Sequence, residues 1–91
     1  MKRTNQAGPK EPQTVDRHVA ARIRQKRNEL DITQETLADA LGVTFQQVQK
    51  YEKGTNRVSA GRLFSIANLM GVEISYFFEG IPTDTRRRKR P

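Results

Sequence analysis

The sequence predicts an all-α fold: one compact domain of five short helices with a flexible tail at each end. Three observations lead there. A chain of 91 residues has room for a single compact unit and no second domain. Its 34% apolar content, without tryptophan, suits a few helices sharing one central cluster better than a sheet sandwich. Its apolar residues recur at helical spacing, and a glycine follows most of these periodic runs.

Residues 1–14 combine Gly8, Pro9 and Pro12 with Lys, Gln, Asn and Thr, a composition unable to bury enough apolar area to offset ordering. They read as a flexible arm. Val15, Val19, Ile23 and Leu30 then mark one face of a first helix running from Val15 to Glu29, with Asp16 and Arg17 beginning its polar side. Asp31 and Ile32 break the period. Thr33 can cap a second helix with Leu37, Ala38 and Leu41 inward. Gly42 ends it in a left-handed turn anchored by Val43. Thr44-Phe45-Gln46-Gln47 fits a capping box, in which the Thr44 hydroxyl and the Gln47 amide satisfy backbone donors reciprocally. The third helix starts there, turns Val48 and Tyr51 inward and stops at Gly54. After a polar loop from Thr55 to Val58, Ser59 caps a fourth helix with Leu63, Ile66, Ala67 and Met70 inward, closed by Gly71. Ile74, Phe77 and Phe78 form a last short turn or helix that lids the core, stopped by Gly80 and Pro82. The domain therefore covers residues 15–80. Residues 81–91 form a basic tail whose run Arg86 to Arg90 repels itself and is expected to be disordered when free.

Composition narrows the function. Without cysteine, neither disulfides nor thiolate zinc sites are available. No apolar run approaches the roughly 20 residues that span a bilayer, and residues 1–14 lack the apolar stretch of a secretory signal. A cytoplasmic, nucleoid-associated protein without membrane contact is expected. The net charge of +7 points to a polyanionic partner. Its distribution says more: residues 1–33 carry eight basic and four acidic groups, residues 34–80 four and five, and residues 81–91 five and one. The central module is nearly neutral, so bulk charge alone cannot hold it on DNA. Glu35 and Asp39 share a helix face, but no nucleophile, oxyanion site or metal set accompanies them. His18 has no second ligand to complete a metal site and reads as a solvated surface residue. No enzymatic activity and no cofactor are expected.

Two helices joined by so short a turn as Gly42-Val43 cross steeply and leave the second exposed along one side. With Val48 and Tyr51 inward, Gln46, Gln49, Lys50 and Lys53 point outward, and Phe45 lies on the leading edge. These side chains suit base edges. Glutamine pairs bidentately with adenine, lysine with guanine N7 and O6, and an exposed phenylalanine packs on a thymine methyl. Tyr51, Phe64, Phe77 and Phe78 are assigned to the core, with Phe45 as the exception. Arg27 on the first helix and Glu52 on the third both face partly inward, and each needs a partner because an unpaired buried charge is costly.

The stretch Thr33-Gln34-Glu35-Thr36-Leu37-Ala38-Asp39-Ala40-Leu41-Gly42-Val43-Thr44, followed by Val48, Tyr51, Glu52 and Gly54, resembles the phage lambda-repressor and Cro family of helix-turn-helix regulators. The resemblance runs from Arg22 through Phe78 and leaves out both tails. It implies a lambda-repressor-like domain whose second helix lies over the DNA backbone and whose third enters the major groove. It further implies base reading by Thr44, Phe45, Gln46 and Lys50. Phosphate contacts map to Gln34, Gln47, Lys53, Thr55, Asn56 and Arg57, and a structural ion pair to Arg27 and Glu52. The implied partner is double-stranded DNA, bound by a homodimer at a palindromic operator, most simply for repression. Two other readings fit the same fold: an antitoxin that folds an arm around a toxin, and an adaptor that docks protein through Phe45 and its neighbouring glutamines. The basic tail fits either a phosphate or minor-groove arm or a solubilising terminus.

Overall fold

The computed structural model describes residues 12–81. They form α1 (Pro12–Glu29), α2 (Gln34–Leu41), α3 (Phe45–Lys53), α4 (Ala60–Met70) and a closing 3-10 helix (Ile74–Phe78), with no strand among the described residues. The fold is all-α, as the sequence predicts, with two amendments. The fifth helix is a single 3-10 segment, since five residues between Glu73 and Glu79 are too few to establish the longer α repeat. α1 also begins a turn earlier than expected, at Pro12, where a proline suits the first helical turn because its missing N–H has no intrahelical partner to lose. Residues 12–14 thus belong to a helix rather than to the arm. The rest of the arm and residues 82–91 of the basic tail lie outside the described residues.

Local chemistry explains where the helices stop and start. Thr33, Thr44 and Ser59 accept hydrogen bonds from the backbone N–H of Thr36, Gln47 and Arg62, satisfying donors that the first turn leaves unpaired. At Thr44 the box closes on one side only: its hydroxyl accepts from the Gln47 N–H at 3.0 Å, without a return bond from the Gln47 side chain. Each α-helix ends alike. A residue just past the end takes a left-handed conformation: Gly42 (φ 74°), Gly54 (φ 77°) and Gly71 (φ 71°) directly after their helices, and Asp31 (φ 63°) two residues after Glu29. The next N–H then reaches back to close the turn: Ile32 to Arg27, Val43 to Ala38, Thr55 to Lys50 and Val72 to Ala67. In three of the four that reaching residue is apolar and packs on the core: Ile32, Val43 and Val72, the contact that usually accompanies this motif. After α3 it is Thr55, which is exposed, so α3 alone ends toward solvent.

α1 packs across α3, α4 and the 3-10 helix, while α2 packs on α3 and α4. Val19, Ile23, Leu37, Ala38, Val48, Leu63, Ile66, Ala67, Met70 and Phe77 make the core. Its centre is Phe77, Ile23, Ile66 and Val48, all fully buried. Leu30, expected inward, is exposed: Arg27 occupies the last inward position of α1, and Leu30 lies past the final turn. Two aromatic assignments are also corrected. Tyr51 and Phe77 are buried, whereas Phe64 and Phe78 are 58% and 43% exposed. Each of these follows a buried neighbour, Leu63 or Phe77, and consecutive helical side chains diverge by 100° or more, so only one of two adjacent residues faces a small core.

Basic side chains of α1 and α4 tie the ends of other elements down. The Arg22 guanidinium donates twice to the Tyr76 carbonyl, at 3.1 and 3.0 Å, and lies 3.9 Å over the Tyr76 ring. It also pairs with Glu79 at 3.2 Å. His18, expected to be solvated, is instead half-buried and donates from Nε2 to the Glu79 carbonyl, fixing the proton on that nitrogen because a carbonyl only accepts. Arg62 donates to the Leu41 carbonyl at 3.0 Å, placing a cation at the negative end of α2.

Candidate functional site

The Schellman turn at Gly42 and Val43 leads straight into the Thr44 cap, so the α2 and α3 axes turn through a tight corner with no residue to spare. The inward side of α3 carries Val48, Tyr51 and Glu52, all buried. Its outward side carries Phe45, Gln46, Lys50 and Lys53, which are exposed together with the capping Thr44, while Gln47 and Gln49 are half-buried. The structure thus gathers Thr44, Phe45, Gln46 and Lys50 along one solvent-facing edge, with no acidic side chain of α3 among them.

Behind that edge lies a buried charge cluster. Arg27 and Glu52 meet through two bonds, Nε to Oε2 at 2.6 Å and Nη2 to Oε1 at 3.0 Å. Their side chains are only 9% and 3% exposed. Arg27 Nη1 also donates to the Ile32 carbonyl at 2.6 Å, and the Gln34 amide donates to Glu52 Oε1 at 3.0 Å. One ion pair therefore joins the end of α1, the turn after it, the start of α2 and the inner face of α3. A bidentate arginine–carboxylate fork fixes orientation as well as distance, so this cluster pins α3 in the orientation that the shared core gives it. The Gln34 side chain, mapped to phosphate by resemblance, is engaged in it.

Of the remaining residues mapped to phosphate, Gln47 lies half-buried in the first turn of α3, while Lys53, Thr55, Asn56 and Arg57 ring its C-terminal end. The Thr55 hydroxyl donates to the Lys50 carbonyl at 3.3 Å, and the Asn56 N–H approaches the same oxygen at 3.4 Å. Arg57, two-thirds exposed, donates from Nε to Asp16 Oδ2 at 2.9 Å. Two shallow concavities flank this end. One, of about 460 Å³, is lined by Asp16, Arg17, Lys53, Gly54, Thr55 and Arg57. The other, of about 280 Å³, is lined by Arg24, Arg27, Gln34, Gln49, Glu52 and Lys53. Arg17, expected only on the polar side of the first helix, and Arg24 had no assigned role in the sequence, although their spacing of seven residues puts both on one face of α1. Among the described residues there is no group of acidic, histidine or cysteine side chains fit to hold a metal. Nor is any described helix long and apolar enough to cross a membrane.

The helix-turn-helix family model matches residues 23–77, which takes in the whole of this arrangement. Similar sequences include an HTH-type transcriptional regulator of Sinorhizobium medicae, 53% identical over 75 residues, covering 82% of this chain and 54% of that protein. A transcriptional regulator in the ATPase CF(0) region of Rhodospirillum rubrum is 55% identical over 67 residues, covering 74% of this chain and 62% of its own length. This chain thus spans less than two-thirds of the length of these relatives. Among solved structures, the restriction-modification controller protein C.AhdI from Aeromonas hydrophila superposes with a TM-score of 0.65 at 27% identity, over 68% of this chain and 94% of that one. The clp gene regulator ClgR from C. glutamicum shares the fold, with a TM-score of 0.66 at 24% identity, over 69% of this chain and 82% of its own.

Proposed function

Because the chain belongs to the helix-turn-helix family, we propose that it is a sequence-specific DNA-binding transcriptional regulator that reads the major groove with α3. The observation that carries this reading is the division of α3 itself. Val48, Tyr51 and Glu52 are buried while Thr44, Phe45, Gln46 and Lys50 stand free along the opposite edge, in an order that matches a base-reading helix entering a groove by its N-terminal turn. The names of the relatives, all transcriptional regulators, point the same way.

In this reading Gln46 and Lys50 make the base-edge hydrogen bonds, Phe45 packs on a thymine methyl and Thr44 holds the first turn against the groove. Lys53, Arg57, Thr55, Asn56 and Gln47 fix register on the phosphates without reading sequence. Gln34 contributes through its backbone N–H at the start of α2, where helix donors lack intrahelical partners, its side-chain amide being held by Glu52. One such helix contacts only a few base pairs, so a homodimer on two half-sites, acting as a repressor, is the simplest way to the specificity a genome requires.

Selection of bound duplexes from a random pool, repeated at two salt concentrations, tests this directly. A two-fold symmetric consensus is expected. Gln46→Ala then loses roughly 1–3 kcal/mol at one base position, whereas Lys53→Ala weakens every sequence and lowers the salt slope by about one. Uniform losses from both variants across randomised sites would reject α3 as the reader.

A further inference from the structure

We infer that the concavity between α1 and the loop after α3 is a cradle for one DNA phosphate, in which Arg17 is an additional contact and Asp16 a built-in competitor of that phosphate. The inference rests on the proposed duplex binding. Four charged side chains converge there from three parts of the chain: Asp16 and Arg17 from α1, Lys53 from the end of α3 and Arg57 from the loop. Three are cations, and among the described residues neither Arg17 nor Lys53 has a carboxylate partner.

The approach of α1 is built into the backbone. A Cβ on Gly54 would lie 3.2 Å from Arg17 Cγ and 3.3 Å from Arg17 Cα, so the absence of a side chain at the α3 terminus is what lets Arg17 stand beside Lys53 and Thr55. The polar Thr55 at the point where the other three helix ends carry an apolar anchor leaves this end open to solvent.

Asp16 changes the arithmetic of the cradle. It holds Arg57 by a single bond, from Nε at 2.9 Å, which leaves the terminal fork of the guanidinium able to meet a phosphate. Asp16 itself is mostly covered and Arg57 mostly exposed, 24% against 67%, so Arg57 is the movable partner. Two effects of Asp16 oppose each other. Ordering Arg57 helps binding by the worth of an exposed pair, at most about fivefold. Its negative charge cancels one cation in the cradle, and each cation neutralising a duplex phosphate adds about 0.9 to the salt slope. That charge effect fades at high salt and grows as salt falls, whereas the worth of ordering is bounded, so at low salt competition outweighs ordering.

The test uses the full chain, a random-sequence duplex and the duplex recovered by selection, with affinities measured from about 50 to 200 mM salt. Arg17→Gln is expected to lower the salt slope by about 0.9 and weaken both duplexes by the same factor. Asp16→Asn is expected to tighten both severalfold and raise the slope. Arg57→Gln should cost more in the Asp16→Asn background than in the natural one. Three results each overturn the cradle: no change with Arg17→Gln, weaker binding with Asp16→Asn, or an Asp16→Asn gain that persists undiminished without Arg57. If the unaltered chain still prefers the selected duplex in those cases, the cradle alone fails. Absence of any duplex binding at low salt would remove both the cradle and the proposed function. Unchanged helical circular dichroism in each variant separates these outcomes from loss of fold.

Discussion

Removing the Arg27 guanidinium is the perturbation whose cost the structure defines best. In Arg27→Met the Glu52 carboxylate, 3% exposed, loses both guanidinium bonds and keeps only the Gln34 amide at 3.0 Å. The Ile32 carbonyl loses its charged donor as well. Breaking one side of a buried pair costs about 3–5 kcal/mol, because the surviving charge stays out of water without compensation. Small domains hold about 5–15 kcal/mol in total, so the midpoint of thermal unfolding should fall by on the order of 20 °C. Glu52→Gln strands the opposite charge and should cost a similar amount. Arg27→Met combined with Glu52→Leu removes both charges while keeping volume, and should return to within about 1 kcal/mol of the natural chain, since desolvating the pair offsets most of its attraction. Denaturant and thermal unfolding followed by far-ultraviolet circular dichroism measure all three. A loss below about 1 kcal/mol in either single variant, or a double variant as unstable as the sum of the singles, would refute the claim that this pair is a coupled, water-free unit.

Three further outcomes follow from the geometry. Gly42→Ala should cost about 1 kcal/mol, the left-handed penalty alone, because nothing lies within 4 Å of the added methyl; Gly54→Ala should cost more, because its methyl meets α1 backbone at 3.3 Å, and unfolding midpoints of the two variants check the order. Phe77→Ala should lose about 3–5 kcal/mol, whereas Phe64→Ala, at 58% exposure, should stay within about 0.5 kcal/mol in the same assay. Thr44→Ala should lose about 1 kcal/mol with its cap to the Gln47 N–H, and Thr44→Ser should restore it.

The helices were legible because their signals are local. Thr33, Thr44 and Ser59 at the starts, and Gly42, Gly54 and Gly71 at the stops, act on backbone groups three to five residues away, so the residue order carries the whole interaction. The left-handed end of α1 was harder to read, since Asp31 performs there what glycine does elsewhere. The exposed edge of α3 was legible for the same reason, from the inward period of Val48 and Tyr51. Phe64 and Phe78 misled because aromatic character signals burial without saying which of two adjacent residues receives it.

What residue order by itself determined is therefore the set of helices, the caps and glycine stops of α2, α3 and α4, and the polar edge of α3, all fixed by hydrogen bonds and periodicity within a few turns. Packing decided which distant groups meet: Arg27 with Glu52, 25 residues apart, Gln34 drawn into the same cluster, and Arg57 with Asp16 across 41 residues. Those contacts depend on the angles at which α1 crosses α2 and α3, and the angles arise from the fit of Ile23, Val48, Ile66 and Phe77 in one shared core. No local pattern records such a fit, because it belongs to several elements at once.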